Sequence, residues 1–204
     1  MIFRLASRCD ANKLAILHEI SSFQQPGGFM FRLGIKFLSK YYQILLDEGS
    51  TIIICAVDEA DNLIGFVAGS LKAESRMTAL KKHRVSLLMT AIPALIRQPA
   101  LIFQVISRHN SGSAEISSKG YVVQSGTHVE FWAWQPNHKG GGAFQLFLKW
   151  LALMRLLGVR SVTGEVDKIN ELILKAHKML GATIVKEFNT PDGRERYIIR
   201  YLLK

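Results

Sequence analysis

The run of glycines between a predicted strand and a predicted helix is the feature that most clearly indicates chemistry. Residues 130–147 read EFWAWQPNHKGGGAFQLF, so Gly140, Gly141 and Gly142 separate an aromatic strand from an apolar helix. Without Cβ atoms, these glycines leave successive backbone N–H groups unshielded at the positive end of the helix. Phosphate groups bind at such positions. The segment therefore predicts a loop that holds a pyrophosphate.

The strand before this loop carries two titratable side chains, His128 and Glu130, and two indoles, Trp132 and Trp134. Because side chains alternate along a strand, we expect all four on one face of the sheet. Either His128 or Glu130 can act as a general base, directly or through water. The alternative is that Glu130 pairs with a basic residue and His128 is a hydrogen-bonded polar side chain. Both tryptophans fit core packing better than stacking on a ligand.

The elements that must position these residues alternate between strands and helices. We predict strands at residues 2–7, 51–57, 63–71 and 161–167, one that begins near Val122 or Thr127, and two on either side of the turn NTPDG. We predict helices at residues 10–23, 31–46, 143–157 and 170–180. This order predicts an α/β fold with a mixed, mostly antiparallel central sheet flanked by helices.

Composition limits the classes of function. The chain has 204 residues, of which 49% are hydrophobic, so it can bury one substantial core. A formal net charge of +10 indicates anionic partners, such as a phosphate-bearing cofactor, nucleic acid or an acidic membrane surface. Cys9 and Cys55 are far apart and have no metal-ligand spacing, so we expect no metal and a reducing, cytoplasmic location. The first residues do not resemble a secretory signal.

Residues 75–120 form a basic, apolar helical insertion into this order. No acidic residue occurs between Ser75 and Ala114, although the segment holds six basic ones, Arg76, Lys81, Lys82, Arg84, Arg97 and Arg108. We predict two short helices in Val85–Ile106, broken near Pro93 and Pro99. The prolines and Arg97 argue against a transmembrane span. Three interpretations stay open: a lid over an acceptor site, peripheral contact of residues 75–110 with the inner face of a membrane, and a homodimer contact.

The loop resembles the pyrophosphate loop of the GNAT superfamily of acyl-CoA-dependent N-acyltransferases, R/Q-x-x-G-x-G/A after a strand that usually ends in V-x-P. Here the strand ends in Trp134-Gln135-Pro136. Two registers are possible, one with His138, Gly141 and Ala143 on the motif, and one with Lys139, Gly142 and Phe144. We prefer the first, because Phe144 would obstruct a phosphate at a position of close backbone approach. Neither register supplies the usual Arg or Gln.

A second signature of that superfamily, N-x-x-A-x-x-L-Y-x-x-x-G-F, is similar to the segment from Asn170 to Ala182. Asn170 and Gly181 have the expected separation, and His177 occupies the position of the family's tyrosine. The hairpin TIIICAVDEADNLIGFVAGS and the segment FRLGIKFLSKYY also resemble family elements. The resemblance covers most of the chain outside residues 75–120.

This resemblance implies an N-acetyltransferase that uses acetyl-CoA or another acyl-CoA as cosubstrate. It implies that the pyrophosphate binds the N–H groups of the loop, the pantetheine arm binds the strand backbone, and Asn170 belongs to the cofactor site. The implied cofactor contacts are Trp132, Ala133, Trp134, His138, Lys139, Gly140, Gly141, Gly142, Ala143 and Asn170. His177 would donate a proton to the departing thiolate, since a free imidazole with a pKa of ~6.5 is partly protonated near neutrality.

The acceptor would be a primary amine of a small molecule, with an amino sugar as one candidate, that attacks directly in a ternary complex. Because the family's Arg or Gln and its Tyr are missing, a CoA-binding protein without turnover is an alternative. A basic protein that binds nucleic acid or a membrane surface is another. Nucleic acid is the less favoured partner, because the aromatic residues are predicted to be buried.

Overall fold

The computed structural model describes residues 1–22, 29–103, 125–138, 140–190 and 193–204. In this part of the chain seven strands form one sheet: β1 (Ile2–Leu5), β2 (Thr51–Val57), β3 (Leu63–Ser70), β4 (His128–Trp134), β5 (Ser161–Asp167), β6 (Thr183–Asn189) and β7 (Glu195–Leu202). Their spatial order is β1-β2-β3-β4-β5-β7-β6. Only β4 and β5 are parallel, and the other neighbours are antiparallel. The prediction of a mixed, mostly antiparallel sheet is confirmed.

Helices cover both faces of this sheet. The α-helices of the described residues are α1 (Ala11–Ser22), α2 (Ile35–Glu48), α3 (Ala73–Lys82), α4 (Arg84–Arg97), α5 (Gly142–Leu156) and α6 (Glu171–Met179). Short 3-10 helices at Arg8–Asp10 and Met30–Leu33 precede α1 and α2. None of the helices in the described ranges is both long and apolar enough to cross a membrane.

Strand β2 shows how the sheet separates two cores. Its odd-numbered residues Ile53, Cys55 and Val57 pack against α1 and α2, whereas Ile54 and Ala56 pack on the side of α5. Both faces of this central strand are therefore buried, which explains its continuous apolar sequence. Burial raises the pKa of the Cys55 thiol to about 12, so this cysteine acts as packing material.

The start of the insertion differs from its prediction in two ways. The sequence pattern does not predict helix α3, and α4 continues through Pro93 instead of breaking there. Proline removes one hydrogen bond, to the carbonyl of Met89, but both residues face solvent, so water can bind that carbonyl. Helix α4 ends at Arg97, before Pro99, as expected. Residues 104–120 of the predicted insertion lie outside the described residues.

Candidate functional site

The sheet opens between its two parallel strands. β4 and β5 pair only through His128 with Thr163 and Val129 with Gly164, and beyond these pairs the strands separate. A cavity of about 260 Å³ lies in the gap. Its walls come from β4, β5, β7, α1, α6 and the segment before α2, and they include His18, Phe29, Met30, Glu130, Trp132, Glu165, Asp167, Asn170, His177, Arg194 and Arg196.

A β-bulge at Glu130 turns β4 at the point where the gap begins. Gly69 of β3 pairs with Val129 and Ala68 pairs with Phe131, so Glu130 is an extra residue in β4. A bulge resets the alternation of side chains. Trp132 therefore packs with Val129 on the α5 side, whereas Phe131 packs with α1 and α2.

The prediction that His128, Glu130, Trp132 and Trp134 share one face is therefore wrong. His128 and Glu130 precede the reset in the alternation, and the two tryptophans follow it. A bulge adds one residue without a distinctive sequence, so a strict period of two cannot reveal it.

Glu130 lines the cavity and is held by two partners. Nε of Arg76, on α3, lies 2.8 Å from Oε1 of Glu130 in an ion pair, and the Ser70 hydroxyl donates a 2.9 Å hydrogen bond to the same oxygen. Burial raises the pKa of the Glu130 carboxyl, while Arg76 and Ser70 lower it. The interpretation that Glu130 pairs with a basic residue holds, and its role as a base stays a prediction.

His128 lies behind the cavity wall. Its Nδ1 is 3.2 Å from the hydroxyl of Thr163, and the side chain is buried. Burial, together with the charges of Arg76 and Arg196, lowers the pKa of His128 to about 3. So weak a base outside the cavity is poorly placed to accept a proton, and the geometry fits its other interpretation, a hydrogen-bonded polar side chain.

His177 lines the cavity from α6 and forms a buried pair with a tyrosine of β7. Nδ1 of His177 and the hydroxyl of Tyr201 are 2.5 Å apart. The ring also contacts Trp132 and Phe147, with centroid distances of 5.6 and 5.3 Å. Burial lowers the pKa of His177 to about 4. The expectation of a useful protonated fraction near neutral pH is therefore wrong for this structure, because the apolar contacts disfavour the imidazolium.

The glycine turn after β4 is built around Trp134. The indole Nε1–H of Trp134 donates a 2.9 Å hydrogen bond to the backbone carbonyl of His138. A Cβ atom on Gly142 would lie 2.6 Å from the Trp134 ring, so only glycine fits there. Gly140 has a φ of 127°, which disfavours other residues, whereas a Cβ on Gly141 would meet nothing within 4 Å.

The turn leads directly into α5, whose first residue is Gly142, with Gly141 as its N-cap. The backbone N–H groups of this first turn, including that of Ala143, have no acceptor within the helix. They are available to a ligand, which fits the predicted phosphate site. Lys139 lies outside the described residues.

Asn170 has a structural role that its sequence position also predicts. Its Oδ1 accepts a 3.4 Å hydrogen bond from the N–H of Ile173 and caps α6. Asn170 also lines the cavity, so the helix that carries His177 begins at the cavity wall. A direct contact between Asn170 and a cofactor stays a prediction.

The wall formed by β5 and β7 carries charged residues that sequence reasoning missed. Arg196 forms ion pairs with Glu165 and, at 2.7 Å, with Asp167. Arg194 lies 3.2 Å from Asp167. The alternation in SVTGEVD puts Glu165 and Asp167 on one face of β5, but the sequence does not reveal that β7 is the neighbouring strand that pairs with β5.

His18 is another residue of the cavity that sequence reasoning missed. Its ring stacks on Phe131 at a centroid distance of 3.7 Å, and its Nδ1 is 2.7 Å from the hydroxyl of Tyr42. Burial lowers the pKa of His18 to about 3, so the ring is a neutral hydrogen-bonding group. A single histidine on a helix gives no sequence signal of this position.

Trp132 brings an unsatisfied donor to the same site. Its indole Nε1 is buried and has no hydrogen-bond partner among the described residues. Because an unpaired buried donor is costly, a bound ligand that supplies an acceptor would stabilise it. In the described ranges, no group of three or more His, Cys, Asp or Glu side chains is arranged to hold a metal ion.

No family model matches the sequence, and no curated protein matches it in sequence. Solved structures do match its fold. An aminoglycoside 6'-acetyltransferase type Ii has a TM-score of 0.60 and 11% identity, and the match covers 100% of this chain and 98% of that one. A mutant spermidine N-acetyltransferase from Vibrio cholerae has a TM-score of 0.59 and 13% identity, covering 100% and 95%.

A third match is Arabidopsis thaliana NAA60 in complex with acetyl-CoA. Its TM-score is 0.58 with 16% identity, and the match covers 99% of this chain and 98% of that one. Another matching structure is described as an acetyltransferase of the GNAT family. At these identities the likeness is one of fold. The described part of the chain has the GNAT fold.

Proposed function

We propose that the protein is an N-acetyltransferase that transfers the acetyl group of acetyl-CoA, or another acyl group, to a primary amine of a small molecule. The observation that carries this proposal is the gap between β4 and β5, a cavity lined by His177 and by Trp132 of the strand that precedes the glycine turn. The acetyltransferases among the matching structures, one of them bound to acetyl-CoA, support it.

The gap offers the cosubstrate a backbone edge. Beyond Val129, the described part of β5 no longer pairs with β4, so backbone groups of β4 on that side are open to a ligand. The amides of a pantetheine arm can hydrogen-bond to such an edge as an added strand does. The pyrophosphate then reaches the N–H groups of Gly140 to Ala143 at the start of α5.

The acceptor amine must be neutral to attack the thioester carbon directly in the ternary complex. Glu130 faces the cavity with a raised pKa, and it can take the amine's proton directly or through water. Attack forms the C–N bond, and collapse of the tetrahedral intermediate expels the CoA thiolate. Arg76 keeps Glu130 in place before the proton arrives.

A neutral His177 acts on the thiolate by hydrogen bonding. In the tautomer in which Tyr201 donates its hydroxyl proton to Nδ1, the other ring nitrogen carries a proton. That N–H can donate a hydrogen bond to the departing sulfur without a prior imidazolium. The role is thus stabilisation of the leaving group.

The charges of the cavity favour a polar acceptor of mixed character. Glu130, Glu165 and Asp167 each have an arginine partner, so the described walls do not present a purely acidic surface. An amino sugar, which combines an amine with many hydroxyls, fits such walls better than a polyamine. A cytoplasmic location is part of the proposal, because Cys9 and Cys55 are both free thiols.

Two measurements, made one after the other, test the proposal. Saturating CoA should raise the melting temperature by about 5 °C or more, since ligand at about 100 times its Kd adds roughly 2.7 kcal/mol to the free energy of unfolding. Thiol release from acetyl-CoA is then measured over amino sugars, amino acids and polyamines. An unchanged melting temperature contradicts CoA binding. A raised melting temperature with no release favours a CoA-binding protein without turnover.

A further inference from the structure

Helix α4 exposes a stripe of large aliphatic side chains. One side of α4 packs inward through Leu87, Ala91 and Leu95. The other side faces solvent with exposed fractions of 67% for Val85, 52% for Leu88, 62% for Met89, 37% for Ile92 and 74% for Ile96. We call these five residues the α4 stripe. Their spacing of three and four residues aligns them along one face of the helix.

Basic residues border the stripe. Phe103, shortly after α4, is also exposed, at 78%. Exposed basic side chains lie at both ends of the helix, Lys81, Lys82 and Arg84 before the stripe and Arg97 after it. No acidic residue occurs in the sequence between Ser75 and Ala114. An exposed apolar stripe whose charged neighbours in the sequence are all basic is unusual for a surface that faces water.

We propose that the α4 stripe binds an anionic lipid surface, with α4 lying parallel to that surface. In this arrangement the aliphatic side chains enter the boundary between headgroups and acyl chains, and the basic residues contact acidic headgroups. The 14 residues of α4 give a helix too short to cross the bilayer but long enough to lie on it. The lysine stems can extend along the interface while their ammonium groups stay in water.

Charge argues against a second copy of the chain on this stripe. A two-fold contact places the same patch of both copies face to face. The basic residues at the ends of α4 would then approach one another without acidic partners nearby in the sequence. The lipid surface supplies the missing negative charge.

The residue types argue against a protein partner. Protein interfaces concentrate their binding energy in Trp, Tyr and Arg that fill pockets. The α4 stripe contains only Val, Leu, Met and Ile, and it forms a ridge along a helix. An aliphatic ridge with basic borders fits the boundary between lipid headgroups and acyl chains better than it fits a shaped pocket of a protein.

The test is sedimentation of the full chain with lipid vesicles. Vesicles of phosphatidylcholine are compared with vesicles in which part of that lipid is replaced by phosphatidylglycerol. We expect binding to the second kind, weakened by added salt because headgroup contacts are screened. Equal binding to both kinds, or binding to neither at low salt, would overturn the proposal.

Paired variants separate the stripe from general surface hydrophobicity. Leu88→Gln with Ile96→Gln should lower binding about tenfold or more, because buried apolar area sets the affinity. Leu156 and Leu202 are 80% and 68% exposed on other elements, so Leu156→Gln with Leu202→Gln is the matched control. Equal loss in both pairs would contradict a role of the stripe. All four side chains are exposed, so the fold should persist, as circular dichroism can verify.

A charge variant and a size measurement complete the test. Lys81→Glu with Arg97→Glu should abolish the preference for phosphatidylglycerol while leaving the aliphatic side chains intact. Sedimentation velocity without lipid should give a monomer. A dimer that the Leu88→Gln and Ile96→Gln pair dissociates would overturn the lipid proposal in favour of a contact between copies.

Discussion

His177 and Tyr201 form a pair in which burial, rather than an adjacent charge, sets the protonation state. The pKa of His177 falls to about 4, so the imidazole is neutral near pH 7. The proposed mechanism therefore uses His177 as a neutral hydrogen-bond donor to sulfur.

His177→Ala should lower kcat by about 10²-fold, the lower range for the loss of one hydrogen-bond donor to developing negative charge, with little change in KM for acetyl-CoA. His177→Tyr, which restores the hydroxyl donor of the family, should retain more activity than the alanine variant. The measurement is steady-state kinetics of thiol release with the best acceptor. An unchanged kcat in folded His177→Ala would remove the residue from the chemistry.

Glu130 depends on Arg76 for its stability in the cavity wall. The two side chains are 11% and 14% exposed, so the pair is nearly free of solvent screening. Removing Arg76 leaves a carboxyl with a raised pKa and no cation beside it. We expect Arg76→Met to destabilise the fold by about 3 kcal/mol, measured by denaturant unfolding.

The pH dependence of this loss has a defined sign. When the pKa of a carboxyl is raised in the folded state, the free energy of unfolding falls as the pH rises through that pKa. Arg76→Met should therefore be least destabilising in acid. Arg8→Met is the matched control, because Arg8 and Asp47 form an ion pair with side chains 72% and 46% exposed. It should cost less than about 1 kcal/mol. Equal losses in the two variants would contradict the dependence of Glu130 on Arg76.

At the scale of single elements, the sequence correctly predicts helices and strands whose pattern of residues is not interrupted by a bulge or a proline. Strands β2 and β5 begin and end as predicted, because TIIICAV and SVTGEVD are bounded by clear turns. The sequence predicts strand β4 but not which side chains share a face, because the bulge at Glu130 depends on the pairing of β4 with β3. The prediction that α4 breaks at Pro93 is wrong, because the local preference against proline is outweighed by the packing of this helix on α2.

The glycine turn offers a test at the level of one element. Gly142→Ala places a Cβ against Trp134 and should destabilise the fold by about 1–3 kcal/mol. Gly141→Ala meets nothing within 4 Å and has an ordinary φ of −73°, so its melting temperature should stay unchanged. In the preferred register of the phosphate motif, Gly141→Ala should nevertheless weaken CoA binding by about tenfold, because the backbone must approach the phosphate there.

Calorimetric titration with CoA distinguishes the two registers. Weaker binding to Gly141→Ala, in a fold as stable as the wild type, supports the register with His138, Gly141 and Ala143. Undiminished binding to Gly141→Ala would contradict it and favour the register with Lys139, Gly142 and Phe144.

At the scale of the whole molecule, three buried histidines make the fold sensitive to acid. The pKa values of His18, His128 and His177 fall to about 3, 3 and 4, below the reference value of ~6.5 that applies to the unfolded chain. As the pH falls below ~6.5, the unfolded chain takes up protons that the folded chain refuses. Stability is therefore full above that pH and declines below it.

Each histidine should lower the free energy of unfolding by about 2 kcal/mol when the pH falls from roughly 7 to 5. Glu130 and Glu165 offset part of this loss, because their pKa values are raised in the folded state. Denaturant unfolding at both pH values measures this loss. His128→Gln should reduce it by about 2 kcal/mol. His83 is exposed, so His83→Gln is the control. Equal losses in both variants would contradict the assignment.

The seam between β4 and β5 has a consequence for how the molecule can be divided. Two residue pairs join these strands, while apolar side chains of α5 contact both sides, among them Leu146, Phe147 and Trp150. A cut after Gly158 gives fragments 1–158 and 159–204, which would reassociate through that core. An acyl-CoA bound across the gap would contact both fragments and tighten their association. The fold is thus suited to a split sensor, in which complementation of two fragments reports acyl-CoA.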